Sequence, residues 1–470
     1  MKRFILLLLL SAAAAVYGSN PGGNLPRPKN VIILIGDGMG FNHVRAANLY
    51  LGAGNQRFEL FPVRLALCHY PAKGGEYREG DPSSNTMSHG YNPALAWTDT
   101  SFLKNNFTES AAAATALATG MKTYNNAIGM SVDGDTLENL TEYARSFGKS
   151  TGVVTSVPFA HATPAGFTAH SLTRARYAEI AAGMLFRSRC DVIMGCGDPS
   201  FDSDGQPRAG RWKNAEYVVD SLTWLQLLEG SGKQTRFLAG SVIREVADPD
   251  GDGRADPWTV VRSRQEFTAL MQGPTPTRVL GCPLVGSTLQ EGRTGVGTET
   301  KGSLPFSTPL IPTVPSLREM TSAALNVLDN NPAGFFLMVE GGAIDWASHD
   351  NHKGRLVEET IGFFDAIDGV IDWVEKNSSW DETLVVVTAD HETGLLWGEK
   401  PFSPLEDRGK GNLPLMNFFS GDHTNSLVPF YAKGSGCEYY RVFADEYDRV
   451  RGPFIQNSEV AALVRFLWVK

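Results

Sequence analysis

Five short apolar runs, each adjoining residues that can bind a metal ion or a phosphate group, constrain the fold of this chain more than any other feature. The runs are residues 31–35, 152–155, 335–339, 384–387 and 427–431. Continuous apolar runs of this length are typical of strands buried in a parallel sheet. Ligands of an open α/β sheet bind outside the carboxyl ends of its strands, so we expect the neighbouring polar residues to converge at one edge.

The positions of those polar residues predict the architecture. They begin at Asp37 and end at His423, so a single large domain must enclose them. We predict an α/β fold, a three-layer sandwich in which helices cover a large, mostly parallel central sheet. Residues 177–332 contain none of the candidate ligands and hold many Gly, Pro and Asp residues, which indicates insertions at the rim of the sheet.

The first 18 residues have the layout of a secretory signal peptide. Lys2 and Arg3 precede an apolar run over residues 4–16, interrupted only by Ser11, and small residues follow it. The alternative is an uncleaved membrane anchor, but the run is shorter than the roughly 20 residues that span a bilayer. We therefore predict an exported protein, periplasmic or extracellular, with residues 1–18 removed. The mature domain would comprise residues 19–470 and would have no stable membrane span.

The charge balance excludes one class of partner. The formal net charge is -9, and removal of the predicted signal peptide, with its Lys2 and Arg3, makes it more negative. Nucleic-acid-binding surfaces are basic, so the sequence argues against such a surface.

A serine at the start of a predicted helix is the candidate nucleophile. Residues 111–120 form an alanine-rich run that ends in glycine, as expected of a helix with a glycine stop. Ser110 precedes this run, where free backbone N–H groups and the helix dipole favour a serine alkoxide or a phosphate. The alternative is that Ser110 or Thr108 only caps the helix.

Six motifs follow one another along the chain in an order that is known from a family of enzymes. They are Gly36-Asp37-Gly38-Met39-Gly40, Thr108-Glu109-Ser110-Ala111-Ala112, His161-Ala162-Thr163-Pro164-Ala165, Val339-Glu340-Gly341-Gly342, Thr388-Ala389-Asp390-His391 and Gly421-Asp422-His423-Thr424. Together they resemble the alkaline phosphatase family over nearly the whole mature chain, with a weak match only in the middle insertions. Any one motif could arise by chance, but six in order make a strong assignment.

The resemblance implies two zinc sites and one magnesium site. Asp345 and His349, four residues apart, can point the same way on a helical turn and bind one cation. By resemblance the first zinc site is Asp345, His349 and His423, and the second is Asp37, Asp390 and His391. The third site would be Asp37, Thr163 and Glu340, whose oxygen ligands suit magnesium. Each residue alone could be structural, but clustered carboxylates repel one another unless cations neutralise them.

Arg174 matches the phosphate-binding arginine of the family. The planar guanidinium group of an arginine can donate hydrogen bonds to two phosphate oxygens at once. Its neighbour Arg176 is the alternative. The residue before the nucleophile is commonly aspartate in the family but is Glu109 here. The extra methylene group moves the carboxylate, so the resemblance does not decide whether Glu109 pairs with Arg174. His161 occupies the position of an aspartate of the enteric bacterial enzyme, and Trp346 occupies the position of a lysine. This combination of histidine and tryptophan resembles a subset of the bacterial members of the family. We expect one phosphate contact fewer and a third site that is less selective for magnesium.

By resemblance the protein is a phosphomonoesterase. Ser110 would attack the phosphorus atom of a small phosphate monoester and form a phosphoserine, with Arg174 stabilising the equatorial oxygens. Two alternatives stay open, a phosphodiesterase of the same superfamily and a non-catalytic exported protein that binds metal or phosphate. Homodimers are common in the family, so a homodimer is compatible with the resemblance.

A second binding function is indicated by the run from Asp248 to Asp256, which has the alternating acids and central glycine of a calcium loop. Counting from Asp248, position 12 falls on Thr259, so the bidentate glutamate of an EF-hand is missing. The alternatives are a structural Ca²⁺ loop and a solvated acidic turn, and the missing glutamate favours the turn.

Overall fold

The computed structural model describes residues 25–74, 86–208, 221–228, 233–238, 241–246, 256–295 and 300–469. The predicted signal peptide lies outside these residues, as does the candidate calcium loop except for Asp256. No helix in the described part of the chain is long and apolar enough to cross a membrane.

Most of the described strands belong to one large sheet. In chain order the strands are β1 (Asn30–Gly36), β2 (Val63–Cys68), β3 (Lys73–Gly74), β4 (Thr86–Met87), β5 (Ser150–Pro158), β6 (Val192–Cys196), β7 (Lys233–Leu238), β8 (Ser241–Val246), β9 (Thr259–Val261), β10 (Val279–Gly281), β11 (Phe335–Gly341), β12 (Thr383–Thr388), β13 (Glu392–Thr393), β14 (Leu396–Trp397), β15 (Asn417–Phe418), β16 (His423–Thr424), β17 (Val428–Gly434), β18 (Glu446–Asp448) and β19 (Gly452–Gln456). The large sheet has 11 strands in the order β18-β19-β2-β17-β12-β1-β11-β5-β6-β10-β9, and the others form two-stranded ribbons.

The large sheet is mostly parallel, as predicted. All neighbours from β12 across to β9 are parallel. The central strands β1, β11 and β12 consist mainly of β-branched and other apolar residues and are buried along their whole length, because helices cover both faces.

One strand runs against the expected direction. The fifth apolar run forms β17, which is antiparallel to both of its neighbours, β12 and β2. A parallel strand was expected there, and that expectation was wrong because apolar character reports burial and not chain direction. Since β17 is reversed, its amino end lies where the parallel strands have their carboxyl ends. His423, just before β17, therefore still reaches that edge.

Two groups of helices enclose the sheet. In chain order the helices are α1 (Phe41–Leu51), α2 (Thr100–Lys104), α3 (Ser110–Thr119), α4 (Leu140–Arg145), α5 (Ala162–Gly166), α6 (Tyr177–Ala182), α7 (Ser221–Leu228), α8 (Arg264–Leu270), α9 (Leu317–Leu328), α10 (Ala343–His349), α11 (Lys353–Asn377), α12 (Tyr440–Phe443) and α13 (Ser458–Trp468). One group contains α1, α8, α9 and α11, and the other contains α3, α4, α5 and α13. Both groups contact β11, whose residues are all buried, and the two groups do not pack closely on one another, so they lie on opposite faces and complete an α/β sandwich.

The stretch 177–332 is only partly a set of rim insertions. Its strands β6, β10 and β9 extend the parallel sheet to one edge, and α9 packs on β5 and β6. Helix α9 begins with a capping box, in which Ser316 Oγ accepts from Glu319 N and the Glu319 carboxylate accepts from Ser316 N. Part of the predicted insertion is therefore core architecture.

Candidate active site

Polar residues from the central strands meet at the carboxyl edge of the sheet. Asp37 directly follows β1, Glu340 lies near the end of β11, and Asp390 and His391 follow β12. All four side chains are fully buried. The structure therefore brings these predicted ligands together.

Asp37, Asp390 and His391 form the more deeply buried cluster. His391 Nε2 lies 3.4 Å from Asp37 Oδ1 and 3.1 Å from Asp390 Oδ2. Within the described residues, Asp390 Oδ2 and both carboxylate oxygens of Asp37 have no hydrogen-bond partner. Burial, together with the neighbouring carboxylates, raises the pKa of Asp37 well above its ordinary value and that of Asp390 to about 6. Buried acceptors without donors, next to an imidazole nitrogen, fit a divalent cation.

Asp345, His349 and His423 form a second cluster. Asp345 and His349 lie on α10, and Asp345 oxygens approach His349 Nε2 at 3.4 Å and His423 Nε2 at 3.5 Å. Backbone carbonyls accept from the other ring nitrogens, since Gly421 O lies 2.8 Å from His349 Nδ1 and Thr108 O lies 3.0 Å from His423 Nδ1. With Nδ1 as the donor, each neutral ring presents the lone pair of Nε2, and the two Nε2 atoms lie only 3.0 Å apart. A proton or a metal ion between the rings satisfies this arrangement, and two imidazole nitrogens beside the Asp345 carboxylate fit a divalent cation.

A third set of oxygen atoms surrounds Glu340. The Thr155 hydroxyl donates to Glu340 Oε2, whereas Glu340 Oε1 and Thr163 Oγ1 are buried without a partner among the described residues. Burial raises the pKa of Glu340 to about 7. With Asp37 nearby, this all-oxygen set has the chemistry of a magnesium site.

Ser110 is the first residue of α3 and lies beside the first of these clusters. Its side chain is 2% exposed, and Oγ lies 3.3 Å from His391 Nε2. The alternative, that Ser110 or Thr108 caps the helix, does not hold, because Glu109 is the capping residue. The Glu109 carboxylate accepts from Ala111 N and Ala112 N, which leaves the serine hydroxyl available for chemistry.

Glu109 also anchors Arg174. Glu109 Oε2 accepts from Arg174 Nη1 at 2.7 Å, so the extra methylene relative to aspartate does not prevent the pairing. Arg174 Nη2 donates to His161 Nε2 at 3.0 Å. Burial and the guanidinium charge lower the pKa of His161 to about 3, so its ring is a neutral acceptor. The ring also makes an edge contact with Trp346, at 5.7 Å between centroids.

Part of this site opens on a cleft of about 450 Å³, lined by Ser110, His161, Arg174, Glu291, Asp345, Trp346, His349, Asp350, Asp422 and His423. The fully buried Asp37, Thr163, Glu340, Asp390 and His391 do not line it. Sequence reasoning did not predict the carboxylates Glu291, Asp350 and Asp422 as cleft residues. Asp422 belongs to the motif Gly421-Asp422-His423-Thr424, whose histidine was the predicted ligand. Glu291 lies within residues 177–332, where the sequence contains none of the motifs. The structure also brings Thr155 and Thr393 against the predicted ligands, although nothing in the spacing indicated either residue.

A family model matches most of this chain, including the segments that carry these groups. The model is described as Alkaline phosphatase and matches residues 28–448. This chain belongs to the alkaline phosphatase family. The resemblance carried by the six motifs is thereby confirmed.

Individual relatives of the alkaline phosphatase family are similar over most of this chain. Alkaline phosphatase 4 of Bacillus subtilis (strain 168) is 30% identical over 374 residues, which cover 78% of this chain and 62% of that protein. The match thus spans less than two thirds of the Bacillus protein. Streptomycin-6-phosphate phosphatase of Streptomyces griseus is 30% identical over 400 residues, covering 82% of this chain and 78% of that protein. The alkaline phosphatase of Thermus thermophilus has the same fold, with a TM-score of 0.62 at 20% identity over 97% of this chain and 95% of that one.

Proposed function

We propose that this member of the alkaline phosphatase family hydrolyses phosphate monoesters through a phosphoserine formed on Ser110. The observation that carries this proposal is that Ser110, Arg174 and the ligand cluster around Asp345 line one cleft. Membership in the family supports the same reaction class. The substrate would bind with its phosphate between Ser110 and Arg174 and its alcohol towards the open mouth of the cleft.

The proposed cofactors are two Zn²⁺ and one Mg²⁺. The first zinc ion would be held by Asp345, His349 and His423, and the second by Asp37, Asp390 and His391. Mixed nitrogen and oxygen sets of this kind suit zinc. Magnesium would be held by the oxygen ligands Asp37, Thr163 and Glu340. Bound cations supply the positive field that stabilises a serine alkoxide, the leaving oxygen and the charge on the phosphate.

The side chains themselves perform the bond changes and hold the phosphate. Ser110 Oγ forms a bond to phosphorus as the ester P–O bond breaks, which yields a phosphoserine and the free alcohol. Water then attacks phosphorus, the serine P–O bond breaks, and inorganic phosphate leaves. Arg174, fixed by Glu109 and His161, presents its remaining N–H groups to the equatorial oxygens in both steps. Water in the open cleft exchanges the protons of the serine and of the alcohol.

Export is part of the proposal. The basic and apolar layout of residues 1–18 supports removal of a signal peptide, with residues 19–470 as the mature catalytic domain in the periplasm or outside the cell. Cell fractionation of the full chain, with the amino terminus of the exported product sequenced, tests this.

A matched pair of substrates tests the reaction. We expect the purified protein, supplied with zinc and magnesium, to turn over 4-nitrophenyl phosphate much faster than bis(4-nitrophenyl) phosphate, because a diester lacks one of the charged oxygens that Arg174 and the cations bind. Faster turnover of the diester would favour the phosphodiesterase. Metal binding with no turnover of either ester would favour a non-catalytic binding protein.

A further inference from the structure

Thr393, which no motif marked, contacts ligands of both proposed zinc sites with one hydroxyl group. Thr393 Oγ1 donates to Asp345 Oδ1 at 2.5 Å and lies 3.3 Å from His391 Nδ1. The hydroxyl proton is used by Asp345, so the oxygen accepts the Nδ1 proton of His391. This fixes the His391 tautomer that leaves Nε2 free to face Ser110, at 3.3 Å.

The backbone of Thr393 is held from several directions, so its hydroxyl has little freedom. Thr393 N donates to Gly38 O at 3.0 Å, in the turn that carries Asp37. Thr393 O accepts from His43 Nε2 at 3.0 Å. On the ladder between β13 and β16, Thr393 is the partner of His423. The residue thus connects segments that bear ligands of both zinc sites.

The turn at Gly38 has the conformation and the space that this contact requires. Gly38 has φ +72°, in the left-handed region, and a Cβ atom there would lie 2.8 Å from Thr393 Oγ1 and 2.9 Å from Asp345 Cα. A side chain at Gly38 would therefore push the threonine hydroxyl away from Asp345.

We propose that Thr393 is a positioning residue whose single hydroxyl orients a ligand of each zinc site, so that both sites depend on it. This inference rests on the proposed metal sites and extends them. A residue that orients one ligand should affect one site, whereas loss of the Thr393 hydroxyl should weaken both. Outer hydrogen-bond partners of metal ligands typically change metal affinity by about 10–100-fold.

The test compares zinc affinities of metal-free variants. Thr393→Val keeps the shape of the side chain and removes the hydroxyl, and Thr393→Ser keeps the hydroxyl. Each protein is titrated with zinc chloride against a chromogenic chelator, and then with cobalt chloride while the visible spectrum reports the coordination of each ion. We expect zinc affinity to fall about 10–100-fold at both sites in Thr393→Val, with a changed cobalt spectrum, and to recover in Thr393→Ser.

Two matched controls make the result specific. Thr155→Val removes a hydroxyl that donates to Glu340 and accepts from Val157 N, and neither partner is a proposed zinc ligand, so the variant should weaken magnesium binding and leave both zinc affinities unchanged. Thr360→Val removes a buried hydroxyl on α11 whose one hydrogen bond among the described residues is to the Leu356 carbonyl, so it should change no metal affinity. If Thr393→Val does not fold without metal, Thr393→Ala and Thr393→Ser are compared instead.

Each outcome decides the inference. Unchanged zinc affinity in Thr393→Val, or weakening at one site only, would overturn the role of Thr393 while leaving the proposed function intact. Failure of the unmodified protein to bind zinc would end the proposed function and this inference together.

Discussion

Replacing Glu109 with glutamine tests how the capping carboxylate orients Arg174, the arginine that we propose binds phosphate. Glu109 Oε1 accepts from Ala112 N and Asn126 N, both at 2.7 Å, and Oε2 accepts from Ala111 N at 3.0 Å and Arg174 Nη1 at 2.7 Å. In Glu109→Gln one oxygen can keep two of these donors. The amide NH₂ then faces the other two donors, so two hydrogen bonds are lost and the arginine loses its counter-charge.

The magnitude follows from these contacts. Two hydrogen bonds to a charged acceptor at about 1.5 kcal/mol each give a loss of about 3 kcal/mol in the free energy of unfolding. This lies at the lower end of the ~3–5 kcal/mol expected when one partner of a buried ion pair is removed. For catalysis, a poorly oriented Arg174 should lower kcat/KM by about 10–100-fold, or about 1.4–2.7 kcal/mol of transition-state stabilisation.

Urea unfolding and steady-state kinetics on the same variants measure the two effects. A double-mutant cycle with Arg174→Gln isolates the pair, because the two losses should not add if Glu109 acts through Arg174. A stability change below about 0.5 kcal/mol, within the range of ordinary surface substitutions, would refute the structural reasoning. Additive losses in kcat/KM would refute the positioning of Arg174.

The pH dependence of stability gives an independent check. Burial tends to raise the pKa of Glu109, but Arg174 and the backbone N–H donors outweigh it, so the pKa lies below its ordinary value of 4.5. Because the pKa is lowered on folding, the contribution is present above pH 4.5 and is lost as the pH falls through the folded-state value. The stability difference between Glu109 and Glu109→Gln proteins should therefore be constant at neutral pH and shrink in acid.

Further predictions concern the nucleophile, the metals, the thiols and the acidic loop. Ser110→Ala should abolish acid-quenched phosphoserine and most turnover while metal content stays unchanged, and a phosphoserine in this variant would exclude Ser110 as the nucleophile. Chelation should abolish activity and zinc with magnesium should restore it, so full turnover after verified zinc removal would contradict the metal chemistry. The five cysteines are buried and free, and burial raises the pKa of Cys68 to about 11, so a thiol reagent should modify them only after unfolding. If the run from Asp248 to Asp256 binds calcium, then calcium titrated into zinc- and magnesium-saturated protein should raise the melting temperature. An equal calcium response after Asp250→Ala with Asp252→Ala would exclude this loop.

Much of the candidate site was predictable because its residues stand next to strongly patterned elements. The apolar run before Asp37 and the alanine run after Ser110 each specify a local element, since burial and helix propensity depend on near neighbours in the chain. Convergence of the ligands followed from a general property of open α/β sheets. The extra methylene of Glu109 left its pairing open, because whether a side chain reaches Arg174 depends on where two distant segments are fixed.

What the sequence by itself determined was the identity of the buried strands, the helix that begins at Ser110 and the set of candidate ligand side chains at the strand ends. Only the tertiary structure decided that β17 is reversed, that Glu291 enters the cleft and that Thr393 joins Asp345 to His391. The physical reason is the range of the interactions. Periodicity and propensity act over a few residues, whereas strand direction and a hydroxyl shared between two ligands arise from the packing of segments that are distant in the chain.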